Sequence, residues 1–245
     1  MGAFQHYEPS LLGIGFGTIC IFVVLSILSR KMDVPGALVG GVIGSFLFLG
    51  GGFAMLGIMG TFFMLGVAAT GWKKEQKLDH GLAQENEGKR SVRHALANGG
   101  IAAIYSLMAV FSPHDQLILL AMASGSFASA TGDTLSSELG NVYGRKYVNI
   151  LNLRPDQRGK DGVVSLEGSL LGLLGSLVIA CVFGWAYQAW ELAVCVGLAG
   201  GVGNIMDSVL GATFQQAGHL TNDKVNFLST WGAACTVLLL TFFFL

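Results

Sequence analysis

Apolar windows nearly free of charge recur along this chain, and they constrain its fold more than any other feature. Each is roughly 16 to 22 residues long, which is what a helix needs to cross about 30 Å of hydrocarbon. Eight such windows lie at about 10–29, 34–51, 53–70, 95–111, 116–132, 165–185, 189–207 and 226–245. Only 12% of the residues are charged and 52% are hydrophobic, whereas globular domains average about 25% charged residues. The sequence therefore predicts an all-α polytopic membrane protein with about eight transmembrane helices in one domain, 1–245.

The basic residues fall on alternate connections between the windows. If the N-terminus lies outside, eight crossings put all 14 Lys and Arg on the cytoplasmic side, where such residues accumulate. Acidic residues follow the same asymmetry, since only Glu8, Asp115 and Glu191 fall outside. We therefore expect both termini outside and the active site at the cytoplasmic face. The charged cytoplasmic loops are expected at about 71–94, 133–164 and 208–225.

The fifth window ends in a polar stretch, SGSFASATGDTLSSELG. If the helix continues, Asp133, Ser136, Ser137 and Gly140 share one face, and Glu138 projects from another. A carboxylate at membrane depth costs on the order of 3 kcal/mol, so Asp133 needs a cation or a hydrogen-bonding wall around it. A salt bridge to an Arg of the following loop is the alternative.

Two further helix ends on the same side carry similar chemistry. Asp207 ends the seventh window, in GNIMDSVLGATFQQ, and Lys160 and Asp161 lie in a glycine-bracketed turn, RGKDG, before the sixth window. Gly159 and Gly162 bracket this turn, and Ser165 lies where the first amides of the sixth helix would face a ligand. Helix N-termini of this kind attract phosphate through unpaired N–H groups and the helix dipole.

The start of the eighth window supplies three more polar residues, in LTNDKVNFLS. Asn222 or Asp223 can be explained as a helix cap, but Asn226 lies one turn inside the helix and has no such explanation. We therefore expect Asn226 to contact a ligand.

Together these helix ends would gather carboxylates and cations at one membrane surface. The candidate metal ligands are Asp133, Glu138, Asp161, Asp207 and Asp223. The candidate cations around them are Arg145, Lys146, Arg158 and Lys160. Oxygen ligands favour Mg2+, and basic residues with helix N-termini favour polyphosphate, which is the equipment of phosphoryl transfer. The acceptor is expected to be a lipid, because the rest of the chain is hydrocarbon-facing helix; no nucleic acid partner is expected.

Five ordered blocks, covering nearly the whole chain, resemble one membrane family. They are Gly88-Lys89-Arg90 leading to Ala97-Asn98-Gly99; Asp133-x-x-Ser136-Ser137-x-x-Gly140 with Gly144-Arg145-Lys146; Gly162-Val163-Val164-Ser165-x-x-Gly168; Asp207-Ser208-x-x-Gly211-Ala212; and Asn222-Asp223-x-Val225-Asn226. This order is similar to the family that includes the plant phytyl-phosphate kinase of tocopherol synthesis and the transmembrane protein 19 group. More distantly it resembles dolichol kinases, phytol kinases and phosphatidate cytidylyltransferases, which use CTP.

The resemblance implies a Mg2+-requiring kinase that uses a nucleoside triphosphate, CTP ahead of UTP or ATP. Its acceptor would be a prenyl monophosphate, phytyl or geranylgeranyl phosphate, which it converts to the diphosphate. Asp133, Lys160 and Asp207 are then the expected catalytic residues. The residues expected to bind nucleotide or substrate are Asn98, Ser136, Ser137, Arg145, Lys146, Arg158, Gly162, Ser165, Asn222 and Asn226.

Two alternatives remain open, a lipid-phosphate transporter or flippase and a CTP-using polyprenol kinase or cytidylyltransferase. Transporters tend to carry ionisable or broken-helix sites near the midplane. This sequence puts its carboxylates on one side only, which favours an enzyme. No plastid transit peptide precedes the first window, so we expect a prokaryotic plasma membrane with membrane lipids as surroundings. A homo-oligomer stays open.

Overall fold

The computed structural model describes residues 8–82 and 89–244, which form a helical bundle with one small strand hairpin. The helices are α1 Pro9–Leu28, α2 Val34–Gly71, α3 Lys74–Asp79, α4 Val92–Phe111, α5 Gln116–Tyr143, α6 Leu166–Tyr187, α7 Trp190–Leu210 and α8 Asn222–Phe244. Strand β1 (Tyr147–Asn149) pairs antiparallel with β2 (Val163–Ser165), and a π-helical turn, Gly211–Gln215, continues α7. Gly88, the first residue of the sequence blocks, lies outside the described residues.

Helix α2 doubles back at Gly52. Its 38 residues would extend about 57 Å as a straight helix, roughly twice the hydrocarbon core. Gly52 has φ 65° and ψ −153°, a conformation open essentially to glycine alone. Met59 Cε lies 3.3 Å from where a Cβ on Gly44 would be, although a straight helix would separate these residues by about 22 Å. Residues 34–51 and 53–71 are therefore two antiparallel crossings, as the separate windows predict.

Replacing Gly52 with Ala is expected to lower the free energy of unfolding by about 1 to 3 kcal/mol, because a side chain strains this backbone conformation. The measurement is denaturation of the purified protein in detergent. Gly57→Ala is the matched control, since a Cβ on Gly57 would meet nothing within 4 Å and Ala favours a helix. Equal stability of the two variants would contradict a hairpin turn at Gly52.

The described residues contain six helices long and apolar enough to cross a membrane, namely α1, α2, α4, α6, α7 and α8. Helix α2 crosses twice, and α5 supplies a further crossing from the centre of the bundle. Residues 119–135 of α5 are almost entirely buried against other helices, so this helix carries more polar residues than one that faces lipid. The prediction of an all-α polytopic membrane protein is confirmed.

The two ends of the bundle differ in charge. At the end that contains the Gly52 turn, Gln116 donates to Gly50 O and Tyr187 to Gly51 O, each at 2.9 Å. The opposite end, called the charged end below, carries the described connecting residues 29–33, 72–82, 89–91, 144–165 and 211–221. All 14 Lys and Arg lie in these connections or in the helical turns that adjoin them.

The expected loop boundaries need correction at two places. Residues 133–143 continue α5 rather than beginning a loop, so the expected shared face of Asp133, Ser136 and Gly140 forms. The hydroxyl of Tyr147 lies 2.9 Å from Gly140 O, which satisfies a carbonyl at this helix end. The loop expected at 208–225 is likewise shortened to 216–221, because the π-helical turn follows α7 and α8 begins early.

Helices α5, α6 and α7 pack backbone to backbone through glycines. A Cβ on Gly172 of α6 would lie 2.7 Å from Gly132 O and 2.9 Å from Ser136 Cβ, both in α5. A Cβ on Gly200 of α7 would lie 2.7 Å from Ala128 Cβ, also in α5. These separations leave no room for side chains, so glycine is what lets the helices approach. The close approach brings the polar ends of α5 and α7 together.

The strand hairpin returns the chain from α5 to α6 across the charged end. Tyr147 of β1 is opposite Ser165 of β2. Ser165 also caps α6, because its Oγ accepts a hydrogen bond from Gly168 N at 3.1 Å. The hairpin thereby fixes where α6 begins and holds the turn 156–162 over the end of α7.

Candidate functional site

A polar cavity of about 280 Å³ opens at the charged end, between α5, α7, the start of α8 and the turn before β2. Most of the site residues expected from the sequence line it. They are Asp133, Ser136, Ser137, Lys160, Asp161, Gly162, Ser165, Asp207, Asn222 and Asn226. Residues from segments almost a hundred positions apart thus share one site, as the gathering of helix ends predicts.

Two carboxylates meet inside the cavity. Asp133 on α5 and Asp207 on α7 lie within hydrogen-bonding reach of each other, and Ser229 Oγ of α8 donates to Asp207 Oδ2 at 3.0 Å. Two negative charges at this separation repel each other strongly where water is scarce. A cation bound between them would remove that repulsion.

Asn226 adds an oxygen to the same region. It lies one turn before Ser229 on α8 and lines the cavity. Its Oδ1 is buried and has no hydrogen-bond partner among the described residues. Buried polar atoms nearly always have a partner, so a free acceptor beside a carboxylate pair indicates a place for a ligand or a cation.

The oxygen atoms of Asp133, Asp207 and Asn226 fit Mg2+. Across residues 8–82 and 89–244, no three His, Cys, Asp or Glu side chains are grouped closely enough to hold a metal ion alone. Mg2+ does not need such a group, because it usually binds one or two carboxylates and takes its other ligands from water and substrate phosphates. The pair therefore suits a metal that arrives with a phosphate.

The turn that carries Lys160 and Asp161 is fixed against the π-helical turn. Gly159 and Gly162 have positive φ of 83° and 69°, and a Cβ on Gly162 would lie 2.5 Å from Ala212 N. Burial raises the pKa of Asp161 above its ordinary value, while a hydrogen bond with the Gln215 side chain opposes the rise. The turn therefore holds its two charged side chains at the cavity.

Lys160 keeps a weak partner. Its Nζ lies 3.4 Å from Asp156 Oδ2 at a largely exposed position, and such pairs contribute little to stability. Lys160 can therefore exchange Asp156 for a phosphate at small cost.

Arg158 lies beside the cavity rather than in its lining. Its guanidinium is 5.8 Å from the ring centroid of Tyr147, which does line the cavity. The Nε and Nη2 atoms of Arg158 are buried without hydrogen-bond partners among the described residues. These donors are available to an anion that enters past Tyr147.

Other expected site residues lie elsewhere. Arg145 and Lys146 are exposed, and Arg145 Nε lies 3.9 Å from Glu167 Oε1. Asp223 lines a separate groove between α4 and α8. Asn98 is buried outside the cavity and donates to His94 O at 3.0 Å.

Glu138, another candidate metal ligand from the sequence, lies outside the cavity lining. Its buried carboxylate forms an ion pair with Lys77, whose Nζ also donates to Ala69 O at 3.0 Å and Thr70 O at 2.9 Å. The cation therefore satisfies both the carboxylate and the carbonyls at the end of α2. Glu138 faces away from Asp133 because the two residues are five apart on α5, which puts them on different faces of a helix.

Sequence reasoning missed His94 and Tyr147 as cavity residues. His94 falls in the stretch 71–94 expected to be a loop, but it lies in the first turn of α4. One signal was available in the sequence: His94 lies four residues before Asn98, which belongs to one of the sequence blocks, and residues four apart share a helix face. Tyr147 carried no signal, because a short strand between two membrane helices leaves no hydrophobic periodicity.

A family model described as "Integral membrane protein DUF92" matches residues 17–234. An uncharacterised membrane protein of Methanocaldococcus jannaschii is 34% identical over 217 residues, 86% of this chain and 87% of that protein. The chloroplastic protein VTE6 of Arabidopsis thaliana is 30% identical over 239 residues, 94% of this chain and 71% of that protein. An uncharacterised membrane protein of Synechocystis is 32% identical over 181 residues, 72% of this chain and 70% of that protein. No solved structure matches the chain significantly.

Proposed function

The chain belongs to the DUF92 family of integral membrane proteins, and from this membership and the polar cavity we propose that it is a prenyl-phosphate kinase. The reaction transfers the γ-phosphoryl group of a nucleoside triphosphate to a prenyl monophosphate. An oxygen of the prenyl phosphate forms the new P–O bond, while the bond from the γ-phosphorus to the β-phosphate oxygen breaks. The products are a prenyl diphosphate and a nucleoside diphosphate.

The observation that carries this proposal is the carboxylate pair Asp133 and Asp207, with the Asn226 oxygen, which has no partner among the described residues, in the same cavity. Phosphoryl transfer depends on positioning and charge neutralisation more than on covalent chemistry by the protein. Asp133, Asp207 and Asn226 would hold Mg2+, which supplies neutralisation of the phosphate oxygens when it is bound. Asp161, at the rim of the same cavity, is the further candidate ligand.

The cations beside the pair suit a polyphosphate. Lys160 on its turn offers a donor from one side of the cavity, and beside it lie Nε and Nη2 of Arg158, which have no partner among the described residues. The start of α6 lies on another side. Arg and Lys donors to phosphate oxygens are among the stronger hydrogen bonds in proteins. We assign the nucleoside triphosphate to this side, with CTP as donor on the strength of the family resemblance.

The acceptor is proposed to be a lipid phosphate because the cavity opens where membrane-crossing helices end. A prenyl monophosphate is already anionic near neutral pH, so its oxygen attacks without a general base. The obstacle is repulsion between two anions, which the cations of the site reduce. Phytyl and geranylgeranyl phosphate are the proposed acceptors. By the positive-inside rule the charged end faces the cytoplasm, in a prokaryotic plasma membrane.

The proposal is tested by incubating purified protein and Mg2+ with γ-labelled CTP, UTP or ATP and with phytyl or geranylgeranyl phosphate. Labelled prenyl diphosphate is the expected product, and a chelator is expected to stop its formation. Phytol as acceptor and α-labelled CTP as donor are run in parallel. Label transferred only to phytol would indicate a polyprenol kinase, and α-label retained in the lipid would indicate a cytidylyltransferase. No transfer under any condition, with lipid phosphate crossing liposome membranes that contain the protein, would indicate a flippase.

A further inference from the structure

A second, mainly apolar groove of about 240 Å³ lies between α6 and α7 and joins the polar cavity. The two spaces share Ser136, Val164 and Ser208 as lining residues. The groove therefore adjoins the polar cavity at these three residues and runs from there along the sides of two membrane-crossing helices.

The walls of the groove face the position of the bilayer. Leu170 and Leu173 of α6 and Ile205 of α7 are exposed on the protein surface. Gly201 of α7 leaves the space between them open, because a Cβ there would meet only Leu173 Cδ1, at 3.6 Å. An apolar chain in the bilayer can therefore enter sideways without passing through water.

Polarity rises along the groove toward the cavity. On α7 the groove runs from Gly201 past Asn204 and Ile205 to Ser208, which also lines the cavity and whose Oγ donates to Asn204 O at 3.2 Å. The seven helical steps from Gly201 to Ser208 rise about 10 Å. Asn204 is buried although it lies on a membrane-crossing helix, and polar residues in such positions mark sites of function. An amphiphile with an anionic head and an apolar chain matches this gradient.

Two other apolar spaces match it less well. A cavity beside Phe62 and Arg90 shares only His94 with the polar cavity. The groove between α4 and α8 that contains Asp223 shares no lining residue with it. Among the described residues, the α6–α7 groove has the broadest continuity with the site.

We infer that the α6–α7 groove binds the first part of the prenyl chain, so that a prenyl monophosphate enters from the bilayer between α6 and α7 and presents its phosphate to Asp133 and Asp207. The identity of this ligand rests on the proposed function. The groove sets selectivity for the chain next to the phosphate, and the remainder of a long chain lies in lipid.

The test uses a geranylgeranyl monophosphate that carries a photoreactive diazirine in its chain near the phosphate. Irradiation of the protein in lipid nanodiscs is expected to label the segments 169–173 and 201–205. Unlabelled geranylgeranyl phosphate is expected to reduce the labelling, and phosphatidate is not. Cross-linking needs no turnover, so labelling of the groove in a protein without kinase activity would refute the proposed function and leave the groove standing.

Variants make the test quantitative. Gly201→Phe fills the groove and is expected to lower labelling about tenfold, in line with the loss of about two buried CH2 groups. It is also expected to raise about tenfold the ratio of KM for geranylgeranyl phosphate to KM for a five-carbon prenyl phosphate. Gly57→Phe, at an exposed glycine of α2 with nothing within 4 Å of its Cβ position, is the matched control and is expected to change neither quantity.

Three results would overturn the inference. The first is labelling concentrated on α4 and α8 or around Phe62, the second is full labelling in the Gly201→Phe variant, and the third is equal competition by phosphatidate. The stability of both variants in detergent is measured alongside, so that misfolding is recognised. If Gly201→Phe is unstable, Leu173→Trp narrows the same groove from α6 and replaces it in the test.

Discussion

Replacing Asp133 with Asn is expected to lower kcat for phosphoryl transfer about a thousandfold. Metal-bound charge at the reacting phosphate contributes several kcal/mol, and each ~1.4 kcal/mol changes the rate tenfold. The measurement is the initial rate of labelled diphosphate formation at saturating nucleotide and Mg2+. Glu191→Gln is the matched control, because Glu191 lies on the same helix as Asp207 but at its opposite end. It is expected to change kcat by less than about twofold.

Stability measurements separate loss of the metal site from loss of the fold. Without Mg2+ the carboxylates of Asp133 and Asp207 repel each other. The free energy of unfolding of the Asp133→Asn variant is therefore expected to exceed that of the wild type by about 1 kcal/mol or more. Added Mg2+ is expected to stabilise the wild type and to have little effect on the variant, because a ligand stabilises only the state that binds it. A variant that is less stable than wild type and still responds to Mg2+ would contradict a metal site at the pair.

The buried ion pair between Lys77 and Glu138 leads to the second large effect. Replacing Lys77 with Met is expected to lower the free energy of unfolding by about 3 kcal/mol, because the buried Glu138 carboxylate loses the cation that contacts it and keeps only the attraction of the buried Arg90. The carbonyls of Ala69 and Thr70 also lose their donor. Denaturation of wild type and variant in the same detergent measures the difference.

The double variant Lys77→Met with Glu138→Gln tests what Glu138 does. Removing both charges is expected to recover part of the lost stability, since the Glu138 charge no longer lacks its contact partner, although the buried Arg90 then loses the attraction of Glu138. Its kcat and Mg2+ dependence are expected to stay near those of the wild type. A stable double variant that has lost its Mg2+ dependence would instead restore Glu138 to the metal site.

The membrane-crossing segments could be predicted from the sequence because length and hydropathy decide them locally. The break at Gly52 was visible as a boundary between two windows, although only its positive φ shows how the chain turns there. The end of α5 was harder to predict. Polar residues from Asp133 onward suggest a loop, but the surrounding helices shield them from lipid, and shielding is a property of the assembled bundle.

The site was predictable in part for the same reason. Asp133 and Asp207 lie at helix ends whose side of the membrane follows from topology, so their meeting could be expected. The partner of Glu138 could not be predicted, because Lys77 is 61 residues away in the sequence and is one of many charged residues in its stretch. The exposure of Arg145 and Lys146 depends on the direction of the β1–β2 hairpin, which no periodicity in the sequence indicates.

The glycine contacts among α5, α6 and α7 have a mechanical consequence. Backbones that touch through Gly132, Gly172 and Gly200 cannot slide past one another without collision, so these three helices form a stiff frame. Asp133 and Asp207 are mounted on that frame, and the distance between them is set by the architecture rather than by the ligand. Adjustment to different ligands falls to the turn 156–162 at the rim. Lipids of different tail length would therefore meet the same arrangement of charges. Selectivity for tail length could then change in evolution without altering the residues that contact the phosphate.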